Sequence, residues 1–572
     1  MSLRDLNTLE DPLIEDGQLT FAGGQASAFE PSILKPNQAA ELLNVHLLPT
    51  GEARSRYGFH WKATITGAPQ GIIFVSSRDP YNNDLQEGLV VFAGTDLYEV
   101  DKNYSYTKIN NSATELGTDQ AFLNVISRHL FVTTKTPGSC SIRTWDLGNV
   151  LNKLTDEGID LTPTVGCPQH ASVSRAHMYR LFVADKGDYL YVTNFLPMEG
   201  GDENPFAVES QNTEILPVRV GTGEGEPIVS IVPWKGFELI VLKRHSIWWV
   251  DTSPLSAVQD NTLEADFTIR QLSGNVGCVA PKSAAVVGND ILFLADDGVR
   301  SVAKSQADSE GRLSEPVSLP ISDWIERINW QHAHKACAVA FRGKYLLAVP
   351  IDDSEDPNVI LVYDTRLQAW MVWNGITPVD FAVTEYAGDS SALVILAKDS
   401  DGNAAIYEYR EPVGLNLYGE TYYQDFNGVS YSLKPWRIRT RNFFFEDITL
   451  PKQPFDLLLE YVASRVDIDV KLIVDDAKEY YLLENYHLGG EALRLNFRLD
   501  ENAILGGSAL TGGVVVESIF GKAIGRKFAI QIEPSRRQGA VIGPLGLRRV
   551  TMTAFALANC PANDGVTDER GS

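Results

Sequence analysis

Short apolar stretches separated by tight polar turns recur through the first four hundred residues of the chain. Each copy has an apolar strand, a turn containing Gly, Asp or Pro, and a second strand that often ends in an aromatic or acidic residue. Such short segments, rich in β-branched and aromatic residues, are typical of strands rather than helices. The central residues of the first strands are Phe92, Phe131, Phe182, Val241, Phe293, Leu346 and Ile395.

The spacing of these copies predicts the architecture of this part of the chain. Successive central residues lie 39, 51, 59, 52, 53 and 49 residues apart. A period of about 50 residues leaves room for four strands and is the signature of a β-propeller blade. Because one blade cannot bury both faces alone, we expect radial closure into a propeller of about seven blades. Six blades is the alternative, since the 39-residue interval can hold a partial blade.

Beyond Tyr409 the pattern changes to strict alternation. In residues 466–474, apolar side chains at every second position alternate with Asp467, Asp469 and Lys471. Alternation predicts one buried and one solvated face, as in an antiparallel β-sandwich. We therefore expect an all-β chain with little helix. Its predicted segments are an N-terminal arm and hairpin (1–60), a β-propeller (61–412), a β-sandwich-like domain (413–557) and a polar tail (558–572).

Two segments carry helical signals. One is the stretch 36–44, with the sequence PNQAAELLN. The other is 320–335, which opens with a proline and places its apolar side chains on one helical face. Those apolar residues are Ile321, Trp324, Ile325 and Ile328.

Charge narrows the classes of function. The 572 residues carry a formal net charge of −25, which argues against a general nucleic-acid binder because contacts to phosphate supply most non-specific affinity. Between Tyr431 and Arg549, however, 17 basic residues face 15 acidic ones, so the negative excess lies almost entirely elsewhere. The sequence thus predicts a near-neutral sandwich and an acidic propeller.

Cysteine usage and the ends of the chain indicate folding in a cytosol-like compartment. Five scattered cysteines without a CxxC motif favour buried thiols over a disulfide framework. The acidic opening MSLRDLNTLEDPLIEDG lacks the apolar core of a signal peptide. No apolar run approaches the roughly 18 residues that a membrane-spanning helix needs.

Candidate sites for chemistry are weak. His332 and His334 stand two residues apart, as a metal pair on a strand would, but no third ligand accompanies them. The glycine-rich stretch 220–227 lacks the Lys-Ser/Thr of a phosphate loop. Ordinary hairpin turns are favoured over calcium binding for the acidic turns 352–356 and 399–403. The sequence therefore predicts no catalytic residue, no cofactor and no metal.

The strongest charged motif is KPWRIRTRNFFFED, residues 434–447. In a strand, Arg437, Arg439 and Arg441 share one face, while Trp436 and Ile438 take the other. Three interpretations are open: a solvated or internally paired strand face, a contact to a neighbouring subunit, or nucleic-acid binding. Arginine and aromatic residues are enriched at protein interfaces, whereas the overall charge disfavours nucleic acid.

The stretch 44–59, NVHLLPTGEARSRYGF, predicts a hairpin without catalytic chemistry. Pro49 presets φ and Gly51 accepts positive φ, so a tight turn is expected between the two arms. The second arm carries Arg54 and Arg56 and ends at Tyr57.

The N-terminal 59 residues resemble a family of phage virion proteins. The stretch 21–59 is similar to the opening of tail nozzle (tail tubular B) proteins of short-tailed phages, and of packaged-DNA stabilisation (head-completion) proteins. The stretches LKRHSIWWVD, 272–302 and VYDTRLQAWMVWNG are similar to the blades of the same proteins. The matching N-terminal positions are Gly23, Gly24, Gln38, Asn44, Gly51, Arg56 and Gly58.

The resemblance implies a structural, non-enzymatic protein of the virion tail or neck, assembled in the host cytoplasm. It would form a ring, expected to be a homohexameric nozzle, that continues the DNA channel below the portal and adaptor. The ring would retain the packaged genome and let it pass on ejection, with adaptor and tail fibre or spike proteins as partners. The expected assembly interface contains Gly23, Gly24, Asn44, Gly51, Arg54, Arg56, Tyr57, Arg437, Arg439 and Arg441.

A receptor- or glycan-binding propeller is the alternative function, and a glycosidase-like one belongs to the same class. Sialidase-type propellers have recurring Ser-x-Asp-x-Gly turns, which this sequence lacks. Carboxylate pairs suited to glycoside hydrolysis cannot be singled out among 74 acidic residues. A cytosolic scaffold that presents a propeller rim to other proteins is a third possibility.

Overall fold

The structure is a computed structural model of the 572-residue chain. It describes residues 14–556 apart from 79–84, 109–119, 127–128, 135–141, 147–170, 179, 185–186, 193–215, 222–224, 254–266, 308–313, 387–388, 412–423, 433–434, 463–465, 489–502, 505–510, 518–522 and 538–544.

The described chain is mostly β and divides into two compact units. Unit 1 contains Met1–Arg56, Leu367–Met371 and Leu433–Ser572, and unit 2 contains Tyr57–Arg366 and Val372–Ser432. The N-terminal arm and the C-terminal segment, which the sequence suggested as separate segments, therefore fold together in unit 1.

Unit 2 contains seven sheets among its described residues, numbered here in chain order. Sheet 1 has Pro69–Arg78, Leu85–Ala93, Asp96–Val100 and Tyr106–Lys108. Sheet 2 has Phe122–Ile126, His129–Thr133 and Ile142–Asp146, and sheet 3 has Val173–His177, Arg180–Ala184, Tyr189–Val192 and Leu216–Arg219.

Sheet 4 has Ile228–Pro233, Glu238–Lys243, Ile247–Asp251 and Thr268–Ser273. Sheet 5 has Ala285–Val287, Asp290–Ala295 and Gly298–Ser301.

Sheets 6 and 7 complete this series. Sheet 6 has Cys337–Phe341, Lys344–Val349, Val359–Asp364 and Ala369–Asn374, the last of which begins in unit 1. Sheet 7 has Pro378–Thr384, Ala392–Lys398, Ala404–Tyr409, His60–Ile65, Asp425–Phe426 and Tyr431–Ser432.

The seven repeat copies in the sequence correspond to seven different sheets. Every central residue predicted from the pattern lies in the second strand of its sheet, and Phe92, Phe131, Phe182 and Phe293 are fully buried there. The apolar period therefore reports one buried strand in each sheet.

Neighbouring sheets of unit 2 pack through their first strands. These strands contact one another from sheet 1 to sheet 4, from sheet 5 to sheet 7, and from sheet 7 back to sheet 1. Sheets 4 and 5 share an apolar cluster that includes Leu242 and Phe293. In sheet 7, His60–Ile65 from the start of the unit pairs antiparallel with Ala404–Tyr409 near its end.

The described residues of unit 1 form two sets of paired strands from both ends of the chain, called sheets A and B. Sheet A has, in spatial order, Val45–Leu47, Ala53–Ser55, Gly546–Ala556, Lys452–Val462, Thr511–Glu517 and Ala503–Ile504, with Ile14–Gln18 also paired to Gly546–Ala556. Sheet B has Glu41–Leu43, Arg437–Arg439, Phe528–Pro534, Val466–Val474 and Lys478–Leu488.

The expected solvated face of strand Val466–Val474 is wrong, because Asp467 and Asp469 are buried as well as the apolar positions. The Asp467 carboxylate lies 2.7 Å from His487 Nδ1, and Asp469 accepts a 2.7 Å hydrogen bond from the Asn485 backbone. Partners on the neighbouring strand thus take the place of water for both carboxylates.

Both helix predictions need correction. Residues 36–44 form no helix, because Glu41–Leu43 pairs as a strand with Arg437–Arg439. The segment 320–335 contains only the short helix Ser322–Glu326 between the 3-10 turns Leu319–Ile321 and Ala333–Lys335. Ile328, expected on the helical face, instead forms a β-bridge to Ile351.

The other described α-helix is Val302–Ala307. Within the described ranges, no helix has the length and apolar character to cross a membrane.

Candidate functional site: the N-terminal hairpin and the arginine strand

The N-terminal hairpin is confirmed. Val45–Leu47 and Ala53–Ser55 pair antiparallel, and the turn closes through a 2.9 Å hydrogen bond from Gly51 N to the Leu48 carbonyl. Gly51 has φ +84°, and a Cβ there would collide with Thr20 Oγ1. The turn therefore requires glycine both for its backbone conformation and for space.

Arg54 and Arg56, expected at a subunit interface, are buried within unit 1. Arg54 binds the buried Glu52 carboxylate at 2.6 Å, and Arg56 Nε donates to Asn44 Oδ1 at 3.0 Å. Asn44, at φ 53°, also donates from Nδ2 to the Pro435 carbonyl at 2.9 Å. The side chains of these two arginines are therefore not available for contact with a neighbouring subunit, because each binds a residue of its own unit.

The aromatic end of the hairpin belongs to the core of unit 2. Tyr57 is 4% exposed, and its ring centroid lies 6.2 Å from that of Tyr409. A Cβ on Gly58 would collide with the Gln424 carbonyl. The expected interface role of Tyr57 is therefore replaced by packing inside its own unit.

The Gly23-Gly24 segment allows close approach between backbones in unit 1. Gly24 has φ +69°, and a Cβ there would lie 2.7 Å from the Ala369 Cβ. A Cβ on Gly23 would lie 2.8 Å from the Asn37 carbonyl oxygen. The next residue, Gln25, donates its backbone N–H to the Trp370 carbonyl at 2.9 Å, which larger residues at the two glycines would prevent.

The predicted alternation of the arginine strand is confirmed. Trp436 and Ile438 are buried, whereas the side chains of Arg437 and Arg439 are 34% and 27% exposed. Arg437 lies 3.2 Å from Glu41 and 3.5 Å from Glu533, and Arg439 lies 3.3 Å from Asp476. Burial raises the pKa of Glu41, and the nearby Arg437 opposes that rise.

Arg441 is buried and differs from the other two arginines. Its guanidinium binds the Asp16 carboxylate and donates 3.1 Å hydrogen bonds to the carbonyls of Gly17 and Asn442. Asp16 also accepts the backbone N–H groups of Phe444 and Phe445 at 3.1 Å. Of the three interpretations of this motif, internal pairing describes Arg441. Arg437 and Arg439 are also paired within the chain, but their side chains remain partly exposed.

The weaker candidates also have local partners. Asp399 Oδ1 accepts the backbone N–H groups of Asp401 and Asn403 at 2.9 and 2.7 Å, which makes an ordinary turn. Asp352 pairs with Arg327 at 2.9 Å. Across the described residues, no three His, Cys, Asp or Glu side chains are grouped as a metal site would need.

The remaining sequence candidates are two thiols and one loop. Cys278 and Cys337 are buried free thiols, and burial raises the pKa of each. Cys140, Cys167 and Cys560 lie outside the described residues, as do positions 222–224 of the glycine-rich stretch.

One cationic cleft was not apparent from the sequence. A cavity of about 470 Å³ in unit 2 is lined by Lys62, Lys102, Tyr104, Glu408 and Arg410 among others. Glu408 accepts a 2.6 Å hydrogen bond from the Tyr104 hydroxyl and pairs with Arg410 at 2.9 Å and Lys62 at 3.3 Å. Lys62 and Glu408 lie on paired strands of sheet 7, and Lys102 and Tyr104 lie in a turn of sheet 1. Because these segments are far apart in the chain, no spacing rule could have grouped them.

Comparisons with known proteins give only distant structural likeness. No protein-family model and no curated protein matches the chain. The N-terminal domain of Nup159 is 9% identical with a TM-score of 0.32, covering 64% of this chain and 98% of that one. A chain of the mitotic checkpoint complex is 9% identical with a TM-score of 0.37, covering 62% and 94% respectively.

A third likeness is to PorZ, a bacterial surface component of the type-IX secretion system of Porphyromonas gingivalis. It is 15% identical with a TM-score of 0.30, covering 69% of this chain and 44% of that one. Likenesses at these TM-scores do not indicate a function for this chain.

Proposed function

We propose that unit 2 is a seven-bladed β-propeller and that unit 1 is a sandwich-like assembly domain. Seven sheets that contact one another in chain order, through their first strands or, for sheets 4 and 5, through a shared apolar cluster, support the propeller. The strand His60–Ile65 would close it, because this strand completes the last sheet from the opposite end of the unit. The two sheets of unit 1, with their antiparallel pairs, support the sandwich.

On this fold we propose a structural, non-enzymatic role as a ring-forming protein of a phage tail or neck. The observation that carries the proposal is the placement of the residues that resemble nozzle and head-completion proteins. Gly24, Gly51 and Gly58 occupy positions where a Cβ would collide, and Asn44 and Arg56 bind each other. The matching residues are thus ones on which the fold depends. We expect a protein with a similar fold to assemble in a similar way.

The charge of the chain suits a channel for DNA. A net charge of −25 opposes adhesion of a polyanion, so DNA would pass without being held. In a ring of six copies, each subunit would offer its neighbour a different surface, and charge complementarity helps to select such contacts. Arg437 and Arg439 are the predicted interface residues that keep exposed side-chain surface for this role.

Mass measurement and electron microscopy of the purified full chain, alone and mixed with portal and adaptor proteins, test this proposal. We expect six-fold rings in the mixture. The double variant Arg437→Ala/Arg439→Ala should weaken ring formation, whereas Arg244→Ala on unit 2, whose side chain is 42% exposed, should not. Arg441 is unsuitable for this test because its loss would damage the fold.

Only monomers under all conditions, or equal ring formation by the double variant and the control, would argue against the assembly role. A specific signal on a glycan array would favour the receptor- or glycan-binding alternative.

A further inference from the structure

A cavity of about 330 Å³ lies where the first strands of several sheets of unit 2 meet. Sheets 1, 2, 3, 6 and 7 all contribute to its lining. Its charged side chains are Arg175, Lys282 and Asp380, and the ring of Phe122 forms an apolar wall. The fold brings these charged residues together, since Arg175 lies more than a hundred positions before Lys282 and about two hundred before Asp380 in the sequence.

One cation and the one carboxylate of this cavity are already paired. Lys282 Nζ lies 2.5 Å from Asp380 Oδ2, and the two side chains are only 6% and 17% exposed. Asp380 Oδ2 also accepts the Ile72 backbone N–H at 3.2 Å. The negative charge of Asp380 is thus committed to a nearly buried partner.

Arg175 adds a second positive charge. Its guanidinium lies 5.4 Å from the centre of the Phe122 ring, and Lys282 Nζ lies 5.5 Å from the same centre. Considering only residues that the structure describes, no carboxylate forms an ion pair with Arg175. Burial lowers the pKa of Arg175 and Asp380 opposes this, but an arginine side chain stays charged in proteins. Among the described residues, the lining of the cavity therefore has two cations and one carboxylate.

A neighbouring cavity on the other side of Phe122 provides a comparison. There, Asp356 lies 2.9 Å from Lys335 and 2.7 Å from Lys398, so a single carboxylate bridges both cations. In the cavity of Arg175, the carboxylate reaches only one of the two. The difference leaves the Arg175 guanidinium, a fork of N–H donors, at the cavity without an ion-pair partner among the described residues.

We propose that this cavity binds a small oxyanion, a carboxylate or phosphate group, between Arg175 and Lys282. Among the described lining residues, two cations share one carboxylate, and a bound anion would balance the excess positive charge beside Arg175. The planar guanidinium suits two oxygen atoms of one carboxylate or phosphate, and Phe122 would cover the apolar part of an organic acid. This site does not depend on the proposed assembly role.

Binding is tested on the full chain with inorganic phosphate and citrate as probes and chloride as the reference anion, at constant ionic strength. We expect one probe to raise the unfolding temperature of unit 2 in a saturable manner, and calorimetry to give one site per chain. Arg175→Gln should weaken the apparent affinity by about tenfold or more, as loss of a charged hydrogen bond does. Lys398→Gln, which alters the neighbouring cavity, should bind as the wild type does.

Asp380→Asn distinguishes an anion site from a purely structural cluster. Removal of the competing carboxylate should tighten binding of the same probe, whereas damage to the fold would weaken it. Should Arg175→Gln fail to fold, Arg175→Lys, which keeps the charge, should retain binding. The proposal is overturned if neither probe stabilises the chain beyond chloride, if Arg175→Gln binds as the wild type does, or if Asp380→Asn weakens binding.

Discussion

The two units are assembled from the chain in opposite ways. Among the described residues of unit 2, most neighbouring strands follow one another in sequence, and sheet 7 recruits the distant strand His60–Ile65. In unit 1, Gly546–Ala556 pairs with Ile14–Gln18, Ala53–Ser55 and Lys452–Val462. Closing such long loops is slow and entropically costly, so unit 1 depends on both ends of the chain being present.

Ion pairs reinforce the long-range connections of unit 1. They join segments from the two ends of the chain, as in Arg441 with Asp16 and Arg437 with Glu41. Unit 2 has both local pairs, such as Asp364 with Arg366, and distant ones, such as Lys282 with Asp380. The long-range ion pairs of unit 1 therefore help to select the pairing of strands from the two ends of the chain, which local sequence does not encode.

The largest expected effect is loss of unit 1 on removal of residues 546–572. This truncation deletes a strand with three partners, so the unfolding transition of unit 1 should disappear while that of unit 2 remains. Calorimetry with limited proteolysis of each unit measures this. Unfolding of the full chain in one transition, lost entirely on truncation, would contradict the comparison.

Arg441→Ala should destabilise unit 1 by about 3–5 kcal/mol, because it leaves the Asp16 carboxylate buried without its cation. The matched variant Arg439→Ala should cost less than about 1 kcal/mol, since its ion pair with Asp476 is partly exposed. Chemical denaturation followed by near-ultraviolet circular dichroism gives both values. Equal costs would show that Arg441 and Arg439 contribute equally to the stability of unit 1.

The matching change in unit 2 is Ile406→Ala. Ile406 is fully buried in the cluster that joins sheets 7 and 1, and its register partner is Ala63. We expect a loss of about 2–4 kcal/mol, confined to the transition of unit 2. An equal loss in both transitions would mean that the units do not unfold independently.

The smallest effect concerns pH. Burial, with the charge of Asp101, raises the pKa of Glu99 in sheet 1 from its ordinary value of 4.5 to about 7. Between these two values the folded chain holds a proton that the unfolded chain has lost, so stability falls as pH rises through this window. Glu99→Gln should therefore raise the unfolding temperature at pH 8 and leave it unchanged near pH 4. A gain at both pH values would contradict the assigned pKa.

The sequence predicts what is local and misses what is distant. The repeat located the buried second strand of all seven sheets, and the turn at Gly51 and the alternation around Ile438 were confirmed. The helix predicted for 36–44 was wrong because a strand partner about 400 residues away overrides the helical propensity of this stretch. Likewise, nothing near Arg441 in the sequence reveals that it is buried against Asp16, at the other end of the chain.

Paired cysteines on the strand pairs that join distant parts of the chain test the account most directly. In unit 2, Thr64 is the register partner of Ala405, between His60–Ile65 and Ala404–Tyr409. In unit 1, Ala53 is the register partner of Leu547, between Ala53–Ser55 and Gly546–Ala556. We expect Thr64→Cys/Ala405→Cys and Ala53→Cys/Leu547→Cys each to form a disulfide within one chain, identified by peptide mapping without reduction. Reduced thiols in either variant, or links only between chains, would contradict the pairing of distant strands in both units.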